Sequence, residues 1–283
     1  IRNLCKAPKG HKLIIADLSQ IEARLQWWKA GDDDALEFLK SGMSPYEAHA
    51  RLTMGWDGGE LKKEDPNLYL LAKTRVLQLG YGCGWFKFYE TVRNFGELQI
   101  LEGEYTAAEK RSFLNFIKSY QPKMVKRFES ENRETKRYWI NAFIQVRDYR
   151  EKNPKITKLW NQYGWAYNQT DVGDDFEIQI DDGRVLKFFN LREEKDHRSA
   201  KLTKGGKRRG RYYSANLFQN VIQALARSIF SGHLLSLSEL GYDVILQVHD
   251  ELVLEVPEDK VEQACEDVKK IMSSTPDWCD CPI

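Results

Sequence analysis

A β-hairpin with acidic residues at its turn most constrains how this chain folds. Two apolar runs, Val244–Val248 and Leu252–Val256, have the composition of paired strands, and His249–Glu251 lies between them. A mostly apolar helix is predicted over 213–240 before the hairpin, and another helix over 257–272 after it. This order predicts an antiparallel sheet packed against helices, with carboxylates at one end of the sheet.

A second acidic position lies early in the chain. The apolar run His11–Ala16 predicts a buried strand that ends at Asp17, and Ser19–Glu22 has the pattern of a helix capping box. Carboxylates beside buried strands lose hydration and adjacent like charges add to that cost, so a pair of divalent cations would offset both. A second interpretation stays open, in which Asp17 caps the following helix and the hairpin carboxylates are ordinary solvated turn residues.

The middle of the chain is helical by pattern, apart from one more hairpin. Two alternating runs, Phe176–Ile180 and Arg184–Phe189, flank an Asp-Gly turn. Helical patterns cover residues 34–55, 68–80 and 105–168, with breaks expected at Pro122 and at Asn153–Pro154. The predicted fold class is therefore α+β, an antiparallel sheet with a large helical insertion.

Composition excludes several classes of protein. With 42% hydrophobic and 30% charged residues, the 283-residue chain is neither disordered nor fibrous, and its formal net charge of +1 indicates no nucleic-acid partner by itself. No run approaches the roughly 18 apolar residues that span a bilayer, so no membrane partner is expected. Five cysteines without a CxxC pair favour a reducing compartment and hence the cytoplasm. The first residue is isoleucine, which indicates a piece of a longer protein.

Two cationic features point to phosphate chemistry. Lys73 lies in a mostly apolar helix and Tyr81 follows at its glycine-rich end; the lysine either meets a phosphate as a point charge or extends over a core tyrosine. The segment Arg198–Arg211 has seven Lys or Arg and no acid. It predicts contact with a nucleic-acid backbone, while a solvated charged loop remains the alternative.

These segments together resemble the three polymerase motifs of the bacterial DNA polymerase I family (family A). Asp17–Arg24 resembles the first motif, Lys73–Gly82 the second and Val248–Glu251 the third. The Leu-Gly-Tyr-Gly string that ends the second motif is most similar to the bacteriophage-type branch. The three motifs occur in the family's order, and the resemblance extends over nearly the whole chain.

The resemblance implies a right-hand fold and template-directed DNA synthesis. Residues 1–30 and 211–283 would form the palm and residues 31–210 the fingers, with thumb and exonuclease upstream and absent from this chain. The reaction would transfer a deoxynucleoside monophosphate to a primer 3′-hydroxyl and release pyrophosphate. Its partners would be primer–template DNA, dNTPs and an upstream thumb and exonuclease portion, in the cytoplasm of a host cell if the protein is viral.

The resemblance also implies roles for single residues. Asp17 and Asp250 would bind two Mg²⁺ ions, with Glu251 as a supporting carboxylate, and Lys73 would bind the triphosphate and protonate the leaving pyrophosphate. The residues expected to bind the nucleotide are Gln20, Glu22, Tyr46, Lys73, Leu77 and Tyr81. The residues expected to contact DNA are His249, Gln223, Lys207, Arg208 and Arg209.

Some positions have two interpretations or depart from the family pattern. Glu22 would exclude a ribose 2′-hydroxyl and would also close the capping box. Tyr69 stands where the family usually has an arginine on the triphosphate, and Arg75 points away around the helix, so weaker nucleotide binding is expected. Leu77 replaces a common aromatic residue, and Tyr46 a histidine frequent in bacterial relatives.

Three alternatives to an active polymerase stay open. The chain could be a non-catalytic DNA-binding remnant, because Tyr69 replaces the arginine that the family usually places on the triphosphate. It could be one half of a split polymerase that is inactive alone. Another two-metal phosphoryl-transfer enzyme, such as a nuclease, is disfavoured because its chemistry does not require Lys73 and Tyr81 on one helix.

Overall fold

The computed structural model describes residues 6–283. Over these residues the chain forms twelve α-helices and seven strands, which group into two compact units. The first unit comprises the residues up to Lys40 together with Gly164–Ile283, and the second comprises Ser41–Tyr163. These limits differ from the boundaries expected after residues 30 and 210, and the division into palm and fingers stays a prediction.

The first unit contains the predicted antiparallel sheet. Strands β1 (His11–Asp17), β6 (Asp243–Val248) and β7 (Glu251–Pro257) lie in the order β1-β7-β6, with both pairs antiparallel. The central strand β7 has four buried apolar residues, Leu252–Leu254 and Val256, as expected for a strand with neighbours on both sides. The predicted early strand and the C-terminal hairpin are therefore confirmed.

Helices cover one face of this sheet. The longest, α11 (Ser214–Glu239), packs against β6, and α12 (Val261–Met272) packs against β1 and β7 after a 3₁₀ turn at Glu258–Lys260. Buried residues recur along α11 every three or four positions, which is the period of one helical face. The remaining helices of this part are α1 (Ile21–Ala30), which contacts α11, and α2 (Asp33–Lys40).

A second sheet in the first unit extends the predicted hairpin. Strands β2 (Phe176–Gln179) and β3 (Val185–Glu193) form that hairpin, and β4 (Arg198–Lys201) and β5 (Gly210–Arg211) continue the sheet in the order β2-β3-β4-β5. The segment Arg198–Arg211 is a loop only in its middle, because its two ends form β4 and β5. Ser199 pairs with Arg211 across the two strands, because local backbone pairing there satisfies groups that a loop would leave to water.

The second unit is helical. Its helices are α3 (Pro45–Met54), α4 (Leu61–Glu64), α5 (Pro66–Thr74), α6 (Trp85–Asn94), α7 (Ala107–Tyr120), α8 (Pro122–Ser130) and α9 (Arg133–Lys152). A 3₁₀ turn lies at Leu98–Leu101. The boundary between the two units falls within α10 (Pro154–Gln169). The breaks predicted at Pro122 and Asn153–Pro154 are confirmed. A further break precedes α9, where the Asn132 side chain accepts a hydrogen bond from the Thr135 amide at 2.8 Å.

An aromatic core holds the second unit together. Trp139 of α9 is fully buried and its ring contacts those of Trp85, Phe86 and Phe128, with centroids between 5.4 and 6.1 Å apart. Within residues 6–283, no helix combines the length and the apolar composition needed to cross a membrane.

Candidate functional site

The register of the first sheet brings the acidic motifs together. Asp17, the last residue of β1, lies directly opposite Glu251, the first residue of β7. The amide of Leu18 donates a hydrogen bond to the carbonyl of Asp250 at 3.1 Å, which continues the pairing beyond the strand end. Two segments more than 230 residues apart therefore present three carboxylates at one end of the sheet.

The turn between β6 and β7 has an unusual backbone. Val248 pairs with Glu251, so only His249 and Asp250 form the connection, and His249 has a left-handed φ of 56°. A side chain in this region costs roughly 1–2 kcal/mol, which glycine would avoid. Such strain is found most often at functional positions, so it marks this turn as a candidate site.

The entry to α1 differs from the prediction. Gln20, not Ser19, is the N-cap residue; it has a left-handed φ of 58°, and no side-chain hydrogen bond caps the helix. The prediction that Ser19 caps the helix in a capping box over Ser19–Glu22 is therefore wrong. The physical reason is the burial of Leu18 and Ile21, at 1% and 2% exposed, which fixes the path of the chain against local capping preference.

The carboxylates are more hydrated than the sequence suggested. Asp17 is exposed, while Asp250 and Glu251 are half-buried, so the desolvation cost is smaller than expected. Among residues 6–283, no three His, Cys, Asp or Glu side chains form a group close enough to hold a metal by themselves. Near them, the Gln20 side-chain oxygen is buried without a hydrogen-bond partner.

In the second unit, α5 presents Lys73 and Tyr69 one turn apart. The helix begins at Pro66, and the Asp65 side chain caps it by accepting a hydrogen bond from the Leu68 amide at 2.9 Å. Lys73 is exposed and Tyr69 is half-buried. The four-residue spacing places both on one helix face, as predicted.

Tyr69 contacts the second tyrosine singled out in the sequence. The rings of Tyr46 and Tyr69 meet edge to face with centroids 5.7 Å apart, and the Lys62 ammonium lies 5.8 Å from the Tyr69 ring centroid. Burial, with a smaller contribution from Tyr69, raises the pKa of Tyr46 to about 12. Both phenols therefore stay neutral near pH 7 and offer hydroxyl hydrogen bonds, not charge.

The helix that begins with α5 does not continue to residue 80 as an ordinary α-helix. Arg75–Leu79 forms a π-helical turn, which widens the backbone before Gly80. Arg75 is buried, donates a hydrogen bond to Gln145 Oε1 at 2.7 Å and faces the Tyr149 ring, so it does not replace the missing arginine. Beyond it, Leu77 is 40% exposed and Tyr81 is buried.

The candidate DNA-contacting residues differ in availability. His249 and Gln223 are exposed, at the hairpin turn and on α11, and so are Lys207 and Arg208 between β4 and β5. Arg209 is half-buried: it donates hydrogen bonds to the Asn190 carbonyl and, at 3.1 Å, to the Ser199 carbonyl. Its guanidinium is thus largely engaged in holding β3 to β4.

Sequence reasoning missed Arg24 as a residue that organises this region. Arg24 is 9% exposed; its Nε donates to the Ser19 carbonyl at 2.9 Å and its Nη1 to the Pro282 carbonyl at 3.1 Å. Burial lowers the pKa of Arg24 below its ordinary value. An arginine within the otherwise apolar face of α1 was the available signal.

Comparison with known proteins gives a consistent result, although no family model matches the chain. The chain is 29% identical over 280 residues to the DNA polymerase of Bacillus phage SP02, a match that covers 95% of this chain and 39% of that relative. It is 26% identical over 274 residues to the thermostable DNA polymerase I of Thermus filiformis, covering 97% of this chain and 26% of that relative.

A solved structure shows the same fold. The POL domain of Pol1 from M. smegmatis, in complex with DNA primer-template and dNTP, matches 98% of this chain and 39% of its own with a TM-score of 0.60 and 17% identity. The chain thus spans about two fifths of the phage relative and of this structure, and about a quarter of the Thermus enzyme. These matches confirm the α+β polymerase fold and the resemblance to the DNA polymerase I family that the three motifs indicated.

Proposed function

We propose that this chain carries the nucleotidyl-transfer site of a template-directed DNA polymerase. The reaction would add a deoxynucleoside monophosphate to a primer 3′-hydroxyl and release pyrophosphate. The observation that carries the proposal is the register of β1 and β7, which sets Asp17 opposite Glu251 beside the Asp250 backbone. Two of the three motifs are thereby adjacent in space although they lie near opposite ends of the chain.

The donor set at this sheet end fits magnesium. Mg²⁺ prefers oxygen ligands and in such enzymes is held by one or two carboxylates together with substrate phosphates and water. Asp17 and Asp250 would be those carboxylates, with Glu251 beside them, so a third protein ligand is not required. When bound, two Mg²⁺ ions supply charge neutralisation at the phosphorus and lower the pKa of the primer hydroxyl.

In the second unit, the proposal assigns binding of the triphosphate to α5. The exposed Lys73 ammonium would contact phosphate oxygens as a point charge and donate a proton to the leaving pyrophosphate. Tyr69 and Tyr46 would contribute neutral hydroxyl donors where a relative with arginine has a charge. Leu77 and Tyr81 would contact the nucleotide beyond the π-helical turn.

The remaining assignments belong to the first unit. Gln20 and Glu22 would contact the nucleotide sugar. The side-chain oxygen of Gln20 is buried and has no hydrogen-bond partner, which supports binding of a ligand that donates a hydrogen bond there. His249 and Gln223 would contact the primer–template, and Lys207 and Arg208 its phosphate backbone. Arg209 would act mainly through the strands that it joins.

Primer extension tests the proposal. The wild-type chain and Asp250→Ala are given primer–template DNA, Mg²⁺ and all four dNTPs, with Asp259→Ala as the matched control because Asp259 is an exposed carboxylate outside the strands of the same unit. We expect extension by wild type and by Asp259→Ala and none by Asp250→Ala.

The polypeptide should be tested alone and with any upstream portion that its gene encodes. Extension only after that addition would still support the site and would identify a chain that needs a thumb, as a split polymerase does. Extension in neither setting, with DNA binding intact, would reject the proposal in favour of a DNA-binding remnant. Degradation of the primer that Asp250→Ala abolishes would instead identify a nuclease.

A further inference from the structure

We propose that a cavity in the second unit binds single-stranded nucleic acid. The cavity has a volume of about 650 Å³ and is lined by residues of α7, α8 and α9 and by Tyr105 just before α7; we name it the cationic cavity. None of the residues assigned to the reaction lines it. The inference rests on the proposed function, because a template-directed enzyme must handle an unpaired template strand.

The charge around the cavity favours a polyanion. Lys110, Lys118, Arg133 and Lys136 line it, against a single acid, Glu129. Residues 107–137 as a whole contain nine Lys or Arg and four Glu, although the full chain has a net charge of only +1. This part of the second unit is therefore a local basic field that the overall composition conceals.

Three of these cations have no partner of their own. Among the residues that the structure describes, no ion pair or side-chain hydrogen bond engages Lys110, Lys118 or Arg133. The nearby Arg147, in contrast, pairs with Asp148 at 2.9 Å and with Glu109 at 3.5 Å. Cations left unpaired around a concave surface are available to phosphates.

The interior of the cavity is apolar and aromatic. Phe128 and Ile140 form buried parts of its wall, and Tyr105 is half-exposed at its edge. Proteins that bind single strands combine a basic groove for the backbone with aromatic rings on which bases stack. A purely acidic polymer such as polyglutamate would use the cations but would leave the apolar interior unfilled, whereas a single strand supplies both phosphates and bases.

A second cavity adjoins the cationic cavity. It has a volume of about 380 Å³ and shares Tyr105 and Arg133 with the cationic cavity. Arg137 also lines it, with the Arg137 Nε buried without a hydrogen-bond partner among the described residues, and so do two acids, Glu104 and Glu134. The two acids balance the two arginines in this second cavity, so the basic binding surface is the cationic cavity itself and Tyr105 stands at the boundary between the two.

Oligonucleotide binding tests the inference. The probe is a fluorescent single-stranded oligonucleotide of about 12 nucleotides carrying 5-iododeoxyuridine, and its Kd is measured by anisotropy at several salt concentrations. Lys110→Ala/Lys118→Ala should weaken binding about tenfold at low salt and reduce the salt slope by about 1.4, since two phosphate contacts are lost. The matched control is Lys269→Ala/Lys270→Ala, which removes two exposed lysines of α12 in the first unit.

The aromatic contribution is tested separately. Tyr105→Ala should weaken binding about fivefold or more, whereas Tyr120→Ala, which removes a 76% exposed tyrosine outside the cavity, should not. Ultraviolet cross-linking should attach the oligonucleotide to a peptide within residues 105–137. Equal losses in the cavity and control variants, or cross-links only elsewhere, would overturn the inference.

Further measurements distinguish the possible ligands from one another and distinguish failure of this inference from failure of the proposed function. Displacement of the probe by dTTP at equal phosphate concentration would identify a free-nucleotide site. Displacement by polyglutamate but not by unlabelled oligonucleotide would identify an acidic-protein site. Either result would overturn the single-strand inference. Binding is also measured on Asp250→Ala. Cavity-dependent binding without primer extension by wild type, either alone or with an upstream part added, would reject the proposed function alone. Extension without cavity-dependent binding would reject the inference alone.

Discussion

Removing the Arg24 side chain is the sharpest test of how the acidic end of the sheet is held. The guanidinium joins the Ser19 carbonyl, two residues after Asp17, to the Pro282 carbonyl through hydrogen bonds of 2.9 and 3.1 Å. Arg24→Ala would leave both carbonyls without this donor and would leave a gap beside α1. The backbone that follows Asp17 would lose its fixed position.

The size of the effect follows from these two bonds. A hydrogen bond to a charged donor contributes about 1.5–3 kcal/mol, and because both bonds are only partly buried we expect a loss near the lower limit, about 3 kcal/mol in total. For a chain of this size that loss lowers Tm by about 6–12 °C. Arg24→Lys keeps the charge but not the planar fork, so it should lose about half as much.

Two assays separate stability from positioning. Urea unfolding measures the free energy of unfolding, with Arg111→Ala as the matched control because Arg111 is an exposed arginine of α7. Primer extension below the melting temperature measures kcat, which should fall about 10- to 100-fold in Arg24→Ala because Asp17 loses its geometry. Unfolding like that of Arg111→Ala would refute the energetic reasoning, and an unchanged kcat in a destabilised variant would refute the positioning role.

Three further predictions concern single side chains. Glu22→Ala should raise ribonucleotide incorporation about tenfold or more relative to deoxynucleotides, since excluding one small group is worth that much; an unchanged ratio in competition assays would contradict the assignment of Glu22 to the sugar. Tyr69→Arg should lower the nucleotide KM about tenfold through one charge-assisted phosphate contact, with Tyr69→Phe as the uncharged control; a KM that does not fall would count against that role. Burial raises the pKa of Asp182, but hydrogen bonds from Ser228 and Arg184 lower that pKa by more. The pKa of Asp182 in the folded protein therefore lies below its ordinary value. Its carboxylate therefore stabilises the fold above the unfolded-state pKa, and this contribution is lost as the pH falls through the folded-state pKa. Asp182→Asn should cost about 2 kcal/mol in urea unfolding at pH 7, and a cost that persists undiminished once the pH has fallen below the folded-state pKa would refute this account.

Local pattern was enough to predict most of the secondary structure. The two hairpins have alternating or apolar strands around short turns, and the helices of the second unit end where Pro122 and Pro154 forbid continuation. These signals act within a few residues, so the sequence carries them directly. The pairing of Asp17 with Glu251 is not local, and only the resemblance to a known family linked those two segments before the register was visible.

The errors have a common physical origin in tertiary packing. At Ser19–Glu22 a capping pattern was present, yet the burial of Leu18 and the bond from its amide to Asp250 moved the start of α1 to Ile21. At Arg75–Leu79 no residue type in the sequence indicates a π-helical turn. Arg75, the first residue of that turn, is held by a hydrogen bond to Gln145 on α9, a contact that the local pattern does not contain. Propensity is a weak guide wherever such contacts oppose it.

Backbone strain gives an independent reason to regard the end of the first sheet as functional. Within the described residues, Gln20, Asn190 and His249 are the non-glycine residues with positive φ, and asparagine and histidine adopt that conformation more readily than glutamine does. Gln20 and His249 lie within three residues of Asp17 or Asp250, and the cost of the conformation, roughly 1–2 kcal/mol that a glycine would save, is greater at Gln20. A glutamine and a histidine at these positions, where glycine would fit without strain, are the pattern expected of side chains kept for a contact. The resemblance assigns such contacts, with a nucleotide and with a primer terminus, to Gln20 and His249.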